Sequence, residues 1–248
     1  YDYALAAPVM AGLAGRGEGS VLVLGNGTGT FAHQCSAYFP GVQVEGVEID
    51  DKITDLAYEY FDMSPEVKVT TYDGRAYLQT VDTTYDVIQV DAYQDITIPF
   101  QLSSREFFQE VQRHLKPGGV MVVNLNMTSA ENGSINQYLC DTMASVFAHT
   151  LTVPVPGNTN TEVFCTDSDD WQATLSASVA RLTDADYAAM METVSGKLTE
   201  YQGGDCILTD DKAPVEVLGM RVLDELIEGE LNYYRNQVKT NGLLSLIS

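Results

Sequence analysis

An open, doubly wound α/β fold on a seven-stranded, mainly parallel sheet, followed by a mainly helical extension, is predicted by three observations. Apolar runs of strand length alternate with amphipathic segments from Val21 to Leu125. The first run, Val21-Leu22-Val23-Leu24, opens into Gly25-Asn26-Gly27-Thr28-Gly29-Thr30. The second ends in Val47-Glu48-Ile49-Asp50, an acidic tip about twenty residues further on. Strand, glycine turn, helix and acid together make a Rossmann-like site for a nucleoside, in which Gly25, Gly27 and Gly29 permit close backbone approach and Glu48 or Asp50 holds a ribose diol.

The form of the glycine turn narrows the ligand. It reads G-x-G-x-G, with Thr30 where a dinucleotide fingerprint places its third glycine. That form suits S-adenosylmethionine and its relatives, which carry no pyrophosphate. A Walker phosphate loop is excluded, since no Gly-Lys-Ser/Thr follows.

The remaining elements follow in order. A helix over Tyr3 to Leu13 precedes the first strand. After the turn come helix Phe31 to Tyr38, strand Val42 to Ile49, helix Lys52 to Phe61, strand Val67 to Tyr72, helix Arg75 to Gln79 and strand Asp86 to Val90. A helix from Ser104 to Leu115 stops at Lys116-Pro117-Gly118-Gly119, and strand Val120 to Leu125 follows. Helix Ile135 to His149 leads to Leu151 to Val155 and Glu162 to Thr166, close enough to pair antiparallel at one edge. These elements define a nucleoside-binding domain over 1–167. Residues 168–248 form a helical extension packed on it, with a helix start at Thr183-Asp184-Ala185-Asp186 and a last helix, Val215 to Asn232, whose Val215, Leu218, Val222, Leu223 and Leu226 make a core face.

Composition bounds the partners. With 13 Lys and Arg against 35 Asp and Glu, the formal charge of −22 excludes nucleic acid and anionic membrane surfaces and favours a cationic ligand. Cys35, Cys140, Cys165 and Cys206 form no C-x-x-C pair, and His33, His114 and His149 do not join them, so no metal site is legible. Cys35 and Cys140 fit helical apolar patterns as reduced core residues, which points to a cytoplasmic setting. No apolar stretch reaches the roughly eighteen residues of a membrane span, and the opening Tyr1-Asp2-Tyr3 is no signal peptide. The abrupt start without methionine leaves a longer parent chain open.

Ligands of such sheets bind outside the carboxyl ends of the strands, and here those ends are acidic. Strand two supplies Glu48 and Asp50, strand three Asp73 followed by Gly74, and strand four Asp91, with Gln94 and Asp95 beyond. Strand five ends in Asn124 and Asn126. Asp50 and Asp73 have capping as an alternative to ligand binding. Glu48 faces the ligand provided Val47 and Ile49 pack against the opposite side. Asp91 follows a buried run, where a merely solvated role is least natural, and is the candidate for catalysis.

The segments VLVLGNGTGT, VEGVEID, YDGRAYL, YDVIQVDAYQD and SSREFFQEVQRHLKPGGV resemble those of the spermidine synthases, or polyamine aminopropyltransferases, from about Ser20 to Met127. That resemblance implies the fold of S-adenosylmethionine-dependent methyltransferases, a homodimer, and transfer of an aminopropyl group from decarboxylated S-adenosylmethionine to a polyamine such as putrescine. It implies that Glu48 holds the ribose, Asp73 and Gly74 the adenine, and that Asp91 accepts the amine's proton. Gln94, Asp95 and Asn124 then fall on the acceptor side.

The chain also departs from that pattern. Thr28 stands where the family has an aspartate for the donor's ammonium, Gln94 replaces an acid with Asp95 beside it, Asn124 matches a glutamine, and the N-terminal β-hairpin region is missing. IPFQLSSREFF and LTDDKAPVEVL resemble a divergent branch in which many members carry membrane segments ahead of this domain. In Thr209-Asp210-Asp211-Lys212 the acids either line the pocket mouth or cap the final helix. Three readings stand: aminopropyl transfer, methyl transfer from intact S-adenosylmethionine, and a non-catalytic nucleoside-binding domain of a larger membrane protein.

Overall fold

The computed structural model describes residues 2–92, 98–125, 133–157 and 160–215, and beyond them 217, 218, 220, 227, 231, 234–236, 239 and 240. Its strands are β1 (Gly19–Leu24), β2 (Val42–Glu48), β3 (Lys68–Thr71), β4 (Tyr85–Val90), β5 (Leu115–Leu125), β6 (His149–Pro154), β7 (Thr161–Thr166) and β8 (Thr199–Glu200). They form one sheet in the order β3-β2-β1-β4-β5-β7-β6-β8. The first five strands run parallel, and β7, β6 and β8 continue antiparallel. The strand order reverses between β1 and β4, which opens a crevice at their carboxyl ends.

The sheet therefore has eight strands and not the expected seven. The addition is β8, whose Thr199 and Glu200 pair with Thr152 and Leu151 on β6. Two residues are too few to show a period of two, so no pattern marked them. β5 also begins earlier than expected: Leu115 pairs with Tyr85, the register slips across Lys116 to Gly119, and Val120 resumes opposite Val87.

The helices are α1 (Ala6–Met10), α2 (Thr30–Tyr38), α3 (Asp51–Tyr60), α4 (Gly74–Thr80), α5 (Arg105–Arg113), α6 (Ile135–Ala144), α7 (Trp171–Val179) and α8 (Ala185–Ser195). Side-chain caps start five of them: Asp50, Asp73, Ser104, Ser134 and Asp184 each accept a backbone N–H of the first turn. The expected first helix is shorter, a 3-10 turn over Asp2–Leu5 running into α1. α6 stops at Ala144 and not at His149, because the Ser145 hydroxyl donates to the Thr142 carbonyl and Asp167 takes the Ala148 N–H, turning the chain into β6.

Alternation along the strands divides the core into two layers. Val21, Val23, Val87, Val120 and Val122 face one way and pack with α1, α2, Trp171 and Leu175 of α7 and Tyr187, Met191 and Val194 of α8. Leu22, Leu24, Ile88, Val90, Met121 and Val123 face the other and pack with Leu78, Phe107, Phe108 and Leu139. Leu208, Val215 and Leu218 join this second layer, while Val222, Leu223 and Leu226 lie outside the described residues. Asp141 pins the segment before them, accepting Tyr201 Oη at 2.7 Å and the N–H groups of Gly204 and Cys206 at 2.9 and 3.0 Å. Cys35, Cys140 and Cys165 are buried thiols. No helix among the described residues is long and apolar enough to cross a membrane.

Candidate active site

The site forms where β1 and β4 part. Asp91 N–H donates to the Leu24 carbonyl at 2.9 Å, so the end of β4 lies directly against the start of the glycine turn. Gly25 has φ +84°, and a Cβ there would sit 2.7 Å from the backbone of Asp91 and Ala92. Only glycine fits on both counts. Gly29, at φ +80°, begins α2, and a Cβ on it would strike the Met63 sulfur.

The turn is tied to β2 as well as to β4. Gly25 and Asn26 donate to the Val47 carbonyl at 2.9 and 3.1 Å. Glu48 takes the Gly27 N–H on Oε2 at 2.8 Å and the Ile49 and Asp50 N–H groups on Oε1 at 2.9 and 3.2 Å. Asp50 caps α3 through Lys52 N at 2.9 Å, and Asp73 caps α4 through Ala76 N at 2.8 Å. The capping alternatives for these two acids are thus realised, and Asp73 does so from the wall of the cleft.

That cleft has a volume of about 530 Å³, within the range of small-molecule sites. Of the sequence-predicted residues, Gly25, Gly27, Glu48, Asp73, Gly74 and Asp91 line it. Gly29 shapes the turn without lining it, and Asn124 stands behind Asp91, 5% exposed. Gln94, Asp95 and Asn126 lie outside the described residues. Ile49 corrects an expectation: Val47 is buried, but Ile49 is 71% exposed and forms part of the cleft wall. β2 ends at Glu48, so strand alternation no longer dictates where Ile49 points.

The electrostatics single out Asp91. Burial pushes its carboxyl up to about 6, against the pull of a hydrogen bond from Asn124. A carboxyl tuned to that value is ionised at neutral pH yet basic enough to accept a proton. Asn160 Nδ2 donates to Asn124 Oδ1 at 2.8 Å, which orients the Asn124 amide toward Asp91.

Sequence reasoning missed several residues here. Gln89, 2% exposed, lines the cleft from within β4, where it reads as one polar residue in an apolar run. Pro99, Gln101 and Leu102 close one side from a single 3-10 turn, Phe100–Leu102, too short to show periodicity. Asp210 does neither thing expected of it: Arg75 grips it with Nη1 and Nη2 at 2.7 and 2.6 Å, and Ser104 Oγ donates to it. Arg75 also donates to the Gln101 carbonyl at 3.2 Å, so this ion pair braces the cleft's edge.

Comparison with known proteins places these features in context. A family model described as the spermine/spermidine synthase domain matches residues 8–171. A probable polyamine aminopropyl transferase of Bifidobacterium longum (strain NCC 2705) is 49% identical over 264 residues, covering 100% of this chain and 58% of the relative. The chain thus spans little more than half of that protein's length. A probable spermidine synthase from Corynebacterium glutamicum ATCC 13032 superposes with a TM-score of 0.60 at 21% identity, over 83% of this chain and 81% of the other. Human methyltransferase-like protein 13, in complex with SAH, gives the same TM-score and identity, over 83% and 96% of the two chains. The two structures establish a shared fold.

Proposed function

The chain belongs to the spermine/spermidine synthase family, and from that premise we propose that it transfers an aminopropyl group from decarboxylated S-adenosylmethionine to a polyamine such as putrescine. The observation that carries this reading is the half-buried Asp91 carboxyl on the wall of the cleft, pressed against the glycine turn and served by Asn124.

In this reading the adenosine lies along the turn, with Glu48 toward the ribose and Asp73 and Gly74 toward the adenine. The SAH-bound structural neighbour supports an S-adenosyl ligand in a fold of this kind. The acceptor arrives as an ammonium ion, and its amine must lose a proton before it can attack. Asp91 takes that proton. The amine nitrogen then bonds to the aminopropyl carbon as the carbon–sulfur bond breaks, and the electron pair returns to sulfur, leaving a neutral thioether. Positioning of the two substrates in line supplies much of the remaining acceleration. Gln94 and Asp95 remain assigned to the acceptor side, Asn124 acts on the acceptor only through Asp91, and the charge of −22 favours a cationic acceptor.

Incubation with decarboxylated S-adenosylmethionine and putrescine, with products read by mass spectrometry, tests the reading. Spermidine and methylthioadenosine in equal amounts are expected. A methylated acceptor formed from intact S-adenosylmethionine, with no aminopropyl product, would replace this reading with methyl transfer.

A further inference from the structure

A second carboxyl group lies behind Asp91. Glu162 sits on β7, in register with Asn124 on β5 and Val153 on β6, and is 1% exposed. Its Oε2 is buried without a hydrogen-bond partner among the described residues. The groups that face it are Asn124 from β5, Val153 from β6 and the Asp91 carboxyl at the end of β4. An ionised carboxylate with an unsatisfied oxygen is costly in such a place, and a second anion nearby adds to the cost.

Resting on Asp91 as proton acceptor, we propose that Glu162 is its positioning residue: the two carboxyl groups, packed around Asn124, share one negative charge in the free protein, and the cationic acceptor draws out the second. Burial, reinforced by the Asp91 charge, pushes Glu162 up to about 8, in keeping with this division. When the ammonium ion docks at Asp91, its positive charge stabilises the Glu162 carboxylate, and the Glu162 proton leaves to solvent. Asp91 then takes the amine's proton and becomes neutral. The sulfonium charge moves to the new secondary ammonium as the carbon–nitrogen bond forms and the carbon–sulfur bond breaks. Glu162, still ionised, balances that charge once Asp91 no longer does. Its effect passes through Asp91 and Asn124, since Glu162 does not line the cleft.

The Glu162→Gln variant, which keeps the side-chain shape, tests this in the whole chain by two readouts. In the free protein at neutral pH, infrared spectroscopy should show a protonated-carboxyl band that is sensitive to deuterium exchange and absent from the variant. A band unchanged by the substitution overturns the shared charge, whether or not the protein turns over. Calorimetric titration with putrescine at pH about 7.5, in two buffers of different ionisation heat, should show release of about one proton per amine by the parent and close to none by Glu162→Gln. Equal release by both overturns the role given to Glu162. Absence of aminopropyl product from the parent would instead remove the underlying reading of Asp91, and the infrared band would still decide where the free protein keeps its charge.

Discussion

Glu48 Oε2 accepts the Gly27 N–H at 2.8 Å, so the acid at the end of β2 is an anchor of the glycine turn before any ligand arrives. Three backbone donors leave this carboxylate about one free acceptor position, the one the ribose would take. Glu48→Gln should weaken nucleoside binding by about 10- to 100-fold, the worth of a hydrogen bond to a charged group. Calorimetric titration with decarboxylated S-adenosylmethionine checks this, and unchanged affinity would remove Glu48 from the ligand contacts.

Gly25→Ala should destabilise the fold and misplace Asp91 together. The new methyl group would meet backbone at 2.7 Å in a left-handed conformation that alanine disfavours. A loss of at least about 2 kcal/mol is expected by denaturant melting, with turnover falling further than stability alone explains. A variant as stable and active as the parent would show that the turn relaxes freely.

At the opposite end of the sheet, Asp86 is a stability element and not a site residue. It is 4% exposed and accepts from Arg16 Nη1 at 3.0 Å, Ser20 N at 2.8 Å and Lys116 Nζ at 2.8 Å. Burial alone would raise its carboxyl, but the Lys116 and Ser20 hydrogen bonds and the Lys116 and Arg16 charges hold it below the ordinary value. Its contribution is therefore present above the unfolded-state value and lost as pH falls through the lowered folded-state value. Asp86→Ala should cost about 1–3 kcal/mol by stranding the Ser20 N–H, with the part-exposed Lys116 and Arg16 turning to solvent and nucleoside affinity unchanged. Melts of both proteins across acidic pH check the sign.

Glu162 has the opposite sign. Its folded carboxyl is raised from 4.5 to about 8, so the folded state holds a proton that the unfolded state has already released. Stability should therefore fall as pH rises from about 4.5 to about 8 and level off above. Glu162→Gln removes that slope, and its Tm advantage over the parent should widen across the same interval. Parallel Tm curves would contradict it.

What the sequence made legible follows physical periodicity. The apolar run Val21 to Leu24, the turn beginning at Gly25 and the acids at 48, 73 and 91 sit where strand alternation and the crevice rule put them. β8 escaped because two residues carry no period. Ile49 was misplaced because the strand ended one residue sooner than expected. Asn160 and Glu162 were invisible as a pair with Asn124, since only the antiparallel pairing of β5 and β7 brings residues about 36 apart together. Arg75 and Asp210 lie 135 positions apart, and no local pattern announces such a contact.

If Asp91 accepts the amine's proton, the pH dependence of a single aminopropyl transfer must report its ionisation. With decarboxylated S-adenosylmethionine prebound, the parent's rate should rise through pH about 6 as Asp91 ionises and fall away below it. Asp91→Asn should bind the donor with unchanged affinity and transfer at least about 100-fold more slowly above pH about 6, the gap narrowing below it as the parent's own carboxyl takes up a proton. Transfer by Asp91→Asn at the parent's rate, with the same dependence on pH, would rule Asp91 out as the proton acceptor.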